Sequence, residues 1–512
     1  MNSSKNYDVI ILGSGIGGLT CASYLAKNTK LKILLVEKNN VAGGLTSGFY
    51  RGNYYFESGT VGISVSNYFK ELLNDLNPDL GTLINKENYK ISIKNKVISF
   101  KSILEIPEKI EGIFPKSKKQ ITNFFNEISK DLTLAKNIMK HINPLKWFNN
   151  GFLYKFGVLL KTLLIILLNI KYFIKYIKLD KIKYFKKFFN NLSENPAYFL
   201  SSLTPYKNMN LMIYSEIWNE FINGVGFVKD GFLNFVNILL NNFKINGGDI
   251  LYNAEVEKII IKDNTVTGIK TRKGVYKSKY FISNIDLKKM VSKLIGEKHF
   301  SKKFINRVKK AKVSESLLIT YIGIKMDHDE LKKYIPSHHI LYLSEDFKNV
   351  NSYELFFDTC PLIVVPLYYL SEKIMKKGHT SIMIEIPISS EININWNSLS
   401  KEKYYNLKNK ITEIIIKRMQ KIIPGFKEKM ELMEIATPRS IEKWVGTTNG
   451  ASNGFNWSIK ESFLKTKTFT KLFLKTELKN LYQVGAFSTA NGGVYFSALT
   501  GKLVADIISF KR

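Results

Sequence analysis

Cysteine, arginine and long uncharged apolar runs are all scarce in this chain, and each scarcity removes a class of explanation. Two cysteines in 512 residues, Cys21 and Cys360, are too few for a disulfide framework and point to no oxidising compartment. Of 76 basic residues only six are arginine, at positions 51, 272, 307, 418, 439 and 512. With no arginine-rich patch and no nucleic-acid module, nucleic acid is not the expected partner of the net charge of +33. The lysine excess is scattered and mixed with asparagine and isoleucine, so much of it reads as compositional bias. What remains draws the chain to anionic surfaces, of which membranes are the better candidate. No run is apolar enough to span a bilayer: in the most apolar stretch, 151–178, the longest uncharged run is Thr162 to Ile170, against the ~20 residues a spanning helix needs. The polar opening MNSSKNY leads straight into an apolar strand, so no signal peptide is expected and the chain should meet its ligands from the cytoplasmic side. No metal is expected either. His338 and His339 are adjacent, so they point to opposite faces of a strand and do not converge on a helix; a solvent-exposed or otherwise satisfied pair fits better than a ligand set. No catalytic triad can be assembled, and no catalytic side chain is assigned.

What is present begins within the first 45 residues. Asp8 to Leu12 is a short apolar run suited to a buried parallel strand, and it leads directly into Gly13, Gly15 and Gly18. This is GxGxxG closing a strand and opening a helix, with Ser14 and Ile16 between the glycines and Leu19, Ala22, Ser23 and Ala26 on the helix's packing side. Gly13 permits the tight turn, Gly15 lets backbone approach a pyrophosphate, and Gly18 brings helix against strand, while the helix N-terminus presents N–H groups to the phosphates. A second strand, Lys32 to Val36, ends at Glu37, 19 residues past Gly18, followed by Lys38. A carboxylate there accepts ribose hydroxyls and repels a 2′-phosphate. The fingerprint suits FAD or NAD. The doublet Gly43 and Gly44, followed by Leu45 and Thr46, resembles the flavoprotein form of this fold, in which the chain turns back over FAD.

Further blocks follow. FYRGNYYFESGTVG, 49–62, reads by itself as a strand and turn. Lys116 to Lys140 is helical in pattern, with Ile121, Phe124, Phe125 and Ile128 on one face. In 151–178 the lysines 161, 171, 175 and 178 share one arc of a helical wheel; the rest is Leu, Ile, Phe and Tyr, which suits an amphipathic helix lying in a membrane surface, or one buried between domains. From Ile217 onward come a helix ended by Gly247 and Gly248, strands Val256 to Ile261 and Thr265 to Thr271, and a closing FISN. Strands are expected at Leu317 to Lys325 and Ser381 to Pro387, and a helix at Tyr404 to Ile422 before Pro424 and Gly425. At the end, strand Leu481 to Val484 stops at Gly485, and the turn Asn491 to Val494, with Gly493, opens a helix carrying Ala498 and Gly501. This repeats the logic of the first motif.

Together, the blocks at 8–62, 226–286 and 437–509 resemble the superfamily of phytoene desaturases, carotenoid isomerases and retinol saturases. The resemblance implies an α/β architecture: a discontinuous Rossmann-like FAD domain (1–75, 220–295 and 437–512) and a mixed α+β substrate domain (76–219 and 296–436) that includes a membrane-facing helix, 152–178. It also implies that Glu57, Ser58 and Gly59 lie close to the flavin, that the backbone of Val256 pairs with the adenine, and that Gly485, Gly493 and Val494 sit near the flavin end. The substrate would be an apolar isoprenoid polyene drawn from the membrane by a cytoplasmic, peripherally bound enzyme. Two departures stand out: Ala490 and Asn491 replace the His-Pro pair of many desaturases, and Ala486 replaces the acid of related amine oxidases. An amine-oxidase-like enzyme with a soluble substrate is an alternative, as is a prenyl-binding escort like the Rab escort proteins; intact Gly13, Gly15, Gly18 and Glu37 argue against the latter.

Overall fold

Val9 to Leu12 are wholly buried, and they form the centre of a sheet that gathers strands from both ends and the middle of the chain. The computed structural model describes residues 6–63, 66–93, 96–141, 222–344, 352–371, 374–388, 394–456, 474–488 and 492–510, together with the isolated positions 164, 167, 168, 188, 189, 218 and 392. The first part comprises β1 (Asn6–Leu12), α1 (Ile16–Asn28), β2 (Ile33–Val36), the hairpin β3 (Gly48–Arg51) and β4 (Tyr54–Glu57), β5 (Ile84–Glu87), β6 (Lys90–Ile93), β7 (Lys96–Ser99) and α2 (Lys118–His141). The middle supplies β8 (Val225–Val228), α3 (Gly231–Ile245), β9 (Asp249–Leu251), β10 (Val256–Lys262), β11 (Thr265–Thr271) and β12 (Gly274–Ser283). The last part holds β13 (Ser316–Ile324), β14 (Ile340–Tyr342), β15 (Leu362–Pro366), β16 (Thr380–Ile388), α4 (Lys401–Ile422), β17 (Met430–Ala436), α5 (Pro438–Val445), β18 (Leu481–Gln483) and α6 (Val494–Ser509).

The first sheet runs β10-β11-β12-β1-β2-β9, with β18 also paired to β12. β1 is parallel to β2 and β12, so Ile10 sits between Leu34 and Phe281. Helices cover a sheet of this kind, which is why VIIL is continuously apolar instead of alternating. α1 is buried almost all round because α3 and α6 both pack on it. α6 approaches closely only because residue 501 is glycine: a Cβ there would overlap the Gly17 carbonyl oxygen.

The second sheet runs β17-β13-β16-β15-β14-β6-β7. One face packs on α4 through Leu318, Ile322 and Ile384 against Ile411, Ile415 and Met419. The other carries Ile319, Tyr321, Val365 and Met383 and packs on the hairpin residues Tyr54 and Phe56. The hairpin therefore places this face next to the segment that leaves the first glycine loop.

Element boundaries shift slightly from expectation. α4 starts at Lys401, three residues earlier, because Ser400 caps it with Oγ accepting from the Lys403 N–H. β2 leaves out Lys32, and β13 covers Ser316–Ile324. Ile121, Phe124, Phe125 and Ile128 of α2 are fully buried, in a cluster with Trp218. Of the amphipathic stretch 152–178 only Leu164, Leu167 and Leu168 are described; they are helical and exposed, and the rest lies outside the described residues. Among the described residues no helix is long and apolar enough to cross a membrane.

Candidate functional site

The first glycine loop is built by backbone constraints that only glycine meets. Gly13 has φ +92°, and its N–H donates to the Val36 carbonyl at 2.8 Å. A Cβ on Gly18 would collide with the Gly13 carbonyl oxygen, so helix and turn are in direct contact there. Gly15 is the N-cap of α1, without a side chain to take up the first-turn N–H groups, and the first turn, Ile16 included, carries no acid. The opening of α1 therefore presents a positive dipole end with nothing of its own to neutralise it.

Gly43 and Gly44 lie against this loop. The Gly43 N–H donates to the Ser14 carbonyl at 3.0 Å, Gly15 and Gly43 form an isolated bridge, and the Gly44 Cβ position lies 3.8 Å from the Gly15 Cα. The chain then ties itself to the segment after the hairpin. The Thr60 N–H donates to the Leu45 carbonyl at 3.0 Å, Thr46 and Thr60 share a 3.1 Å hydroxyl contact, and Gly59 leaves no room for a Cβ beside Leu45.

Glu37 marks one end of the groove. Its carboxylate is buried and accepts from the Ser14 N–H at 2.9 Å, the Ser14 hydroxyl at 2.5 Å and the Asn39 N–H at 2.9 Å. Backbone bonds join it to the 251–254 segment that leads into Val256, the first residue of β10. Lys38 is flanked by Glu37 and Glu255; burial lowers its pKa and those two acids oppose the fall.

The other end comes from the C-terminal block. Gly485 has φ +79° and its N–H donates to the Thr500 hydroxyl at 2.9 Å. α6, which starts at Val494, has Gly493 as N-cap, again without a capping side chain. A Cβ on Gly17 would stand 2.6 Å from the Gly485 nitrogen, so the first and last glycine turns touch. Between them sits Asn284, a residue that the sequence reading passed over as part of a closing strand. Its N–H donates to the Leu12 carbonyl at 2.8 Å, and its side chain fills the space that Cβ atoms on Gly15, Gly17 and Gly485 would need. Asn284 thus holds three strand ends in one place.

Beside the groove is a second polar group. Glu57 is fully buried; it accepts from the Tyr55 hydroxyl at 2.9 Å and from the Phe232 N–H at 3.1 Å, the opening of α3, and burial raises its pKa to about 8. The histidine pair differs from expectation. His338 and His339 are both buried, and their Nδ1 atoms are in hydrogen-bonding contact. Phe227 stacks on His338 at 4.5 Å, and the His339 ring lies 3.2 Å from the Gly62 Cβ position. Burial holds both rings neutral, with His339 down to about 3 and His338, also facing His339, well below its ordinary value. The two rings converge because both residues precede β14 in a bend, where side chains need not alternate. Among the described residues no group of three or more His, Cys, Asp or Glu is placed to hold a metal ion.

A groove floored by glycines from both ends of the chain, bounded by two uncapped helix N-termini and a buried carboxylate, is the site of a dinucleotide-dependent oxidoreductase. The chain belongs to the family of flavin containing amine oxidoreductases, whose description matches residues 16–328. FAD is accordingly its cofactor, and the loop fits it: α1 opens at Gly15 with no capping side chain and no acid in its first turn, which leaves that helix end to a pyrophosphate. Over 99% of its length the chain is 24% identical to prolycopene isomerase 1 of an Oncidium hybrid cultivar, covering 85% of that protein. It is 27% identical to the 1-hydroxycarotenoid 3,4-desaturase of a Flavobacterium species, covering 98% of both. Its fold is similar to that of an oxidoreductase from Methanosarcina mazei, with a TM-score of 0.62, 14% identity, and 98% and 100% of the two chains covered.

Proposed function

We propose that this FAD-dependent oxidoreductase acts on a long, apolar isoprenoid polyene, as a desaturase, saturase or isomerase. One observation carries the reading. The sheet face beside Gly59 is largely apolar, with Ile319, Val365, Leu367 and Met383 all buried, and Glu385 is the buried acid on it. The relatives named for prolycopene and hydroxycarotenoid chemistry support the same substrate class.

In this reading Gly13, Ser14, Gly15, Ile16 and Gly18 would hold the pyrophosphate at the opening of α1, Glu37 and Lys38 would hold the ribose, and the Val256 backbone would meet the adenine. Gly43, Gly44, Leu45, Thr46, Gly59, Gly485, Gly493 and Val494 enclose the remainder. Bound FAD supplies the redox chemistry on the alkene. The chain's own residues position and desolvate. Asn284 fixes the two glycine turns against each other, and the buried apolar side chains Ile319, Val365 and Met383 keep water from the sheet face beside Gly59. The FAD domain comprises 1–75, 220–295 and 437–512, and the remainder forms the substrate domain. Access is from the cytoplasmic side of a membrane, where 152–178 lies in the anionic surface; exposed Leu164, Leu167 and Leu168 support that placement.

The test is to incubate FAD-loaded protein with vesicles carrying phytoene or cis-lycopene, with the flavin oxidised and then reduced. Desaturation lengthens the chromophore, saturation shortens it, and isomerisation changes the cis absorption band alone. Unchanged polyenes, together with flavin bleaching by a soluble amine, would overturn the proposal.

A further inference from the structure

Glu385 is a buried acid on a largely apolar sheet face, whose β17 edge carries Glu434 paired with Arg51 at 3.2 Å. Glu385 lies on β16 in the run Ser381 to Ile388, with Ile319 of β13 and Ile363 of β15 directly opposite it on either side. Directly paired residues share a face, so Glu385 belongs to the face that adjoins the groove. Ile319 reaches to 3.5 Å from the Gly59 Cβ position, and Tyr321, two residues along the same face, donates its hydroxyl to the Ser58 carbonyl at 2.9 Å. The residue is 8% exposed, and its Oε1 atom is buried without a hydrogen-bond partner.

Such an atom is costly in a fold and is retained where something else meets it. A leucine in its place would fill the wall without the desolvation penalty, so the carboxyl does not serve packing. Its chemistry narrows the alternatives. Burial raises its pKa to about 8, so near neutral pH it is largely an uncharged acid, one O–H donor with an acceptor oxygen beside it. It is a good partner for a hydroxyl or carbonyl oxygen that enters an otherwise dry site.

We propose that Glu385 is the polar anchor of the substrate site, hydrogen-bonding an oxygen on the polyene, so that the preferred substrate is an oxygenated isoprenoid polyene and not a pure hydrocarbon. This rests on the polyene reading above and narrows it. Glu385 is a specificity-determining residue, and no step of the reaction is routed through it.

The experiment compares lycopene with its 1-hydroxy-1,2-dihydro derivative in detergent micelles. Binding to FAD-loaded wild type, Glu385→Gln and Glu385→Leu is followed by quenching of tryptophan fluorescence. Wild type is expected to prefer the hydroxylated polyene by roughly tenfold, the worth of one buried hydrogen bond. Glu385→Gln, which keeps a donor and an acceptor, retains most of that preference. Glu385→Leu abolishes it, leaves hydrocarbon affinity equal or higher, and melts no lower than wild type. Equal affinity of wild type for both polyenes, or an undiminished preference in Glu385→Leu, overturns the assignment. So does a changed flavin spectrum or FAD affinity in substrate-free Glu385→Leu, which would give the carboxyl to the cofactor instead. If neither polyene binds to wild type, the polyene reading itself fails and this inference falls with it; binding of both without preference sinks the anchor alone.

Discussion

Gly17 lies inside the first motif at a position where GxGxxG places no demand, yet the structure leaves it no freedom. A Cβ there would stand 2.6 Å from the nitrogen and 2.7 Å from the Cα of Gly485, where ordinary carbon contacts are about 3.5–4.0 Å. Both neighbours are backbone, and that backbone is held by the Gly485 to Thr500 bond, so roughly 1 Å has to be found by separating the two turns. Overpacking of this kind costs about 1–3 kcal/mol. The larger effect falls on the cofactor, because the first and last blocks grip it only while they touch. Gly17→Ala should therefore lower the urea midpoint of unfolding and weaken FAD binding by at least tenfold, measured by equilibrium dialysis of the deflavinated protein. Gly112→Ala is the control. Gly112 has helical angles and nothing within 4 Å of its Cβ position, so alanine there should be neutral or stabilise by about 0.4–1 kcal/mol through the unfolded chain. If both variants bind FAD like wild type, the contact between the two ends of the chain does not form the site.

Glu37→Gln keeps the shape of a buried acceptor that takes three donors and removes its charge, so FAD affinity should fall about tenfold to a hundredfold, read by quenching of flavin fluorescence; unchanged affinity would detach Glu37 from the ribose. Glu385 keeps its proton in the folded state up to about pH 8, whereas the unfolded chain releases it near 4.5. Below pH 4.5 both states are protonated and nothing is lost; between 4.5 and 8 stability falls with rising pH by up to about 1.4 kcal/mol per pH unit. The melting-temperature advantage of Glu385→Gln over wild type should therefore widen from pH 5 to pH 8, and a constant gap would contradict the burial argument. Replacing Leu164, Leu167 and Leu168 by serine should move the protein from the membrane to the soluble fraction on ultracentrifugation; continued sedimentation with membranes would remove the lipid-facing role of that segment.

How much was legible in the sequence depended on how local the constraint was. The turn at Gly13, the helix packing of Gly18 and the position of Glu37 follow from spacing within one strand-helix-strand unit, and the structure brings them together as the spacing demands. Asn284 and Gly17 were illegible for the opposite reason. Their importance arises only once β12 pairs with both β1 and β18, joining segments about 270 and 200 residues apart. The histidines misled because period-two reasoning presumes a regular strand, whereas 337–339 is bent. Glu385 did leave a trace: a single acid within SIMIEIPI. That signal has no weight until the register shows which face the acid occupies.

Both ends of the chain close on one FAD, and the visible absorption spectrum of the purified protein is the sharpest check on that closure. A yellow protein is expected, with the two bands of oxidised flavin and about one FAD released per chain on denaturation. A colourless protein that takes up no added FAD would contradict it.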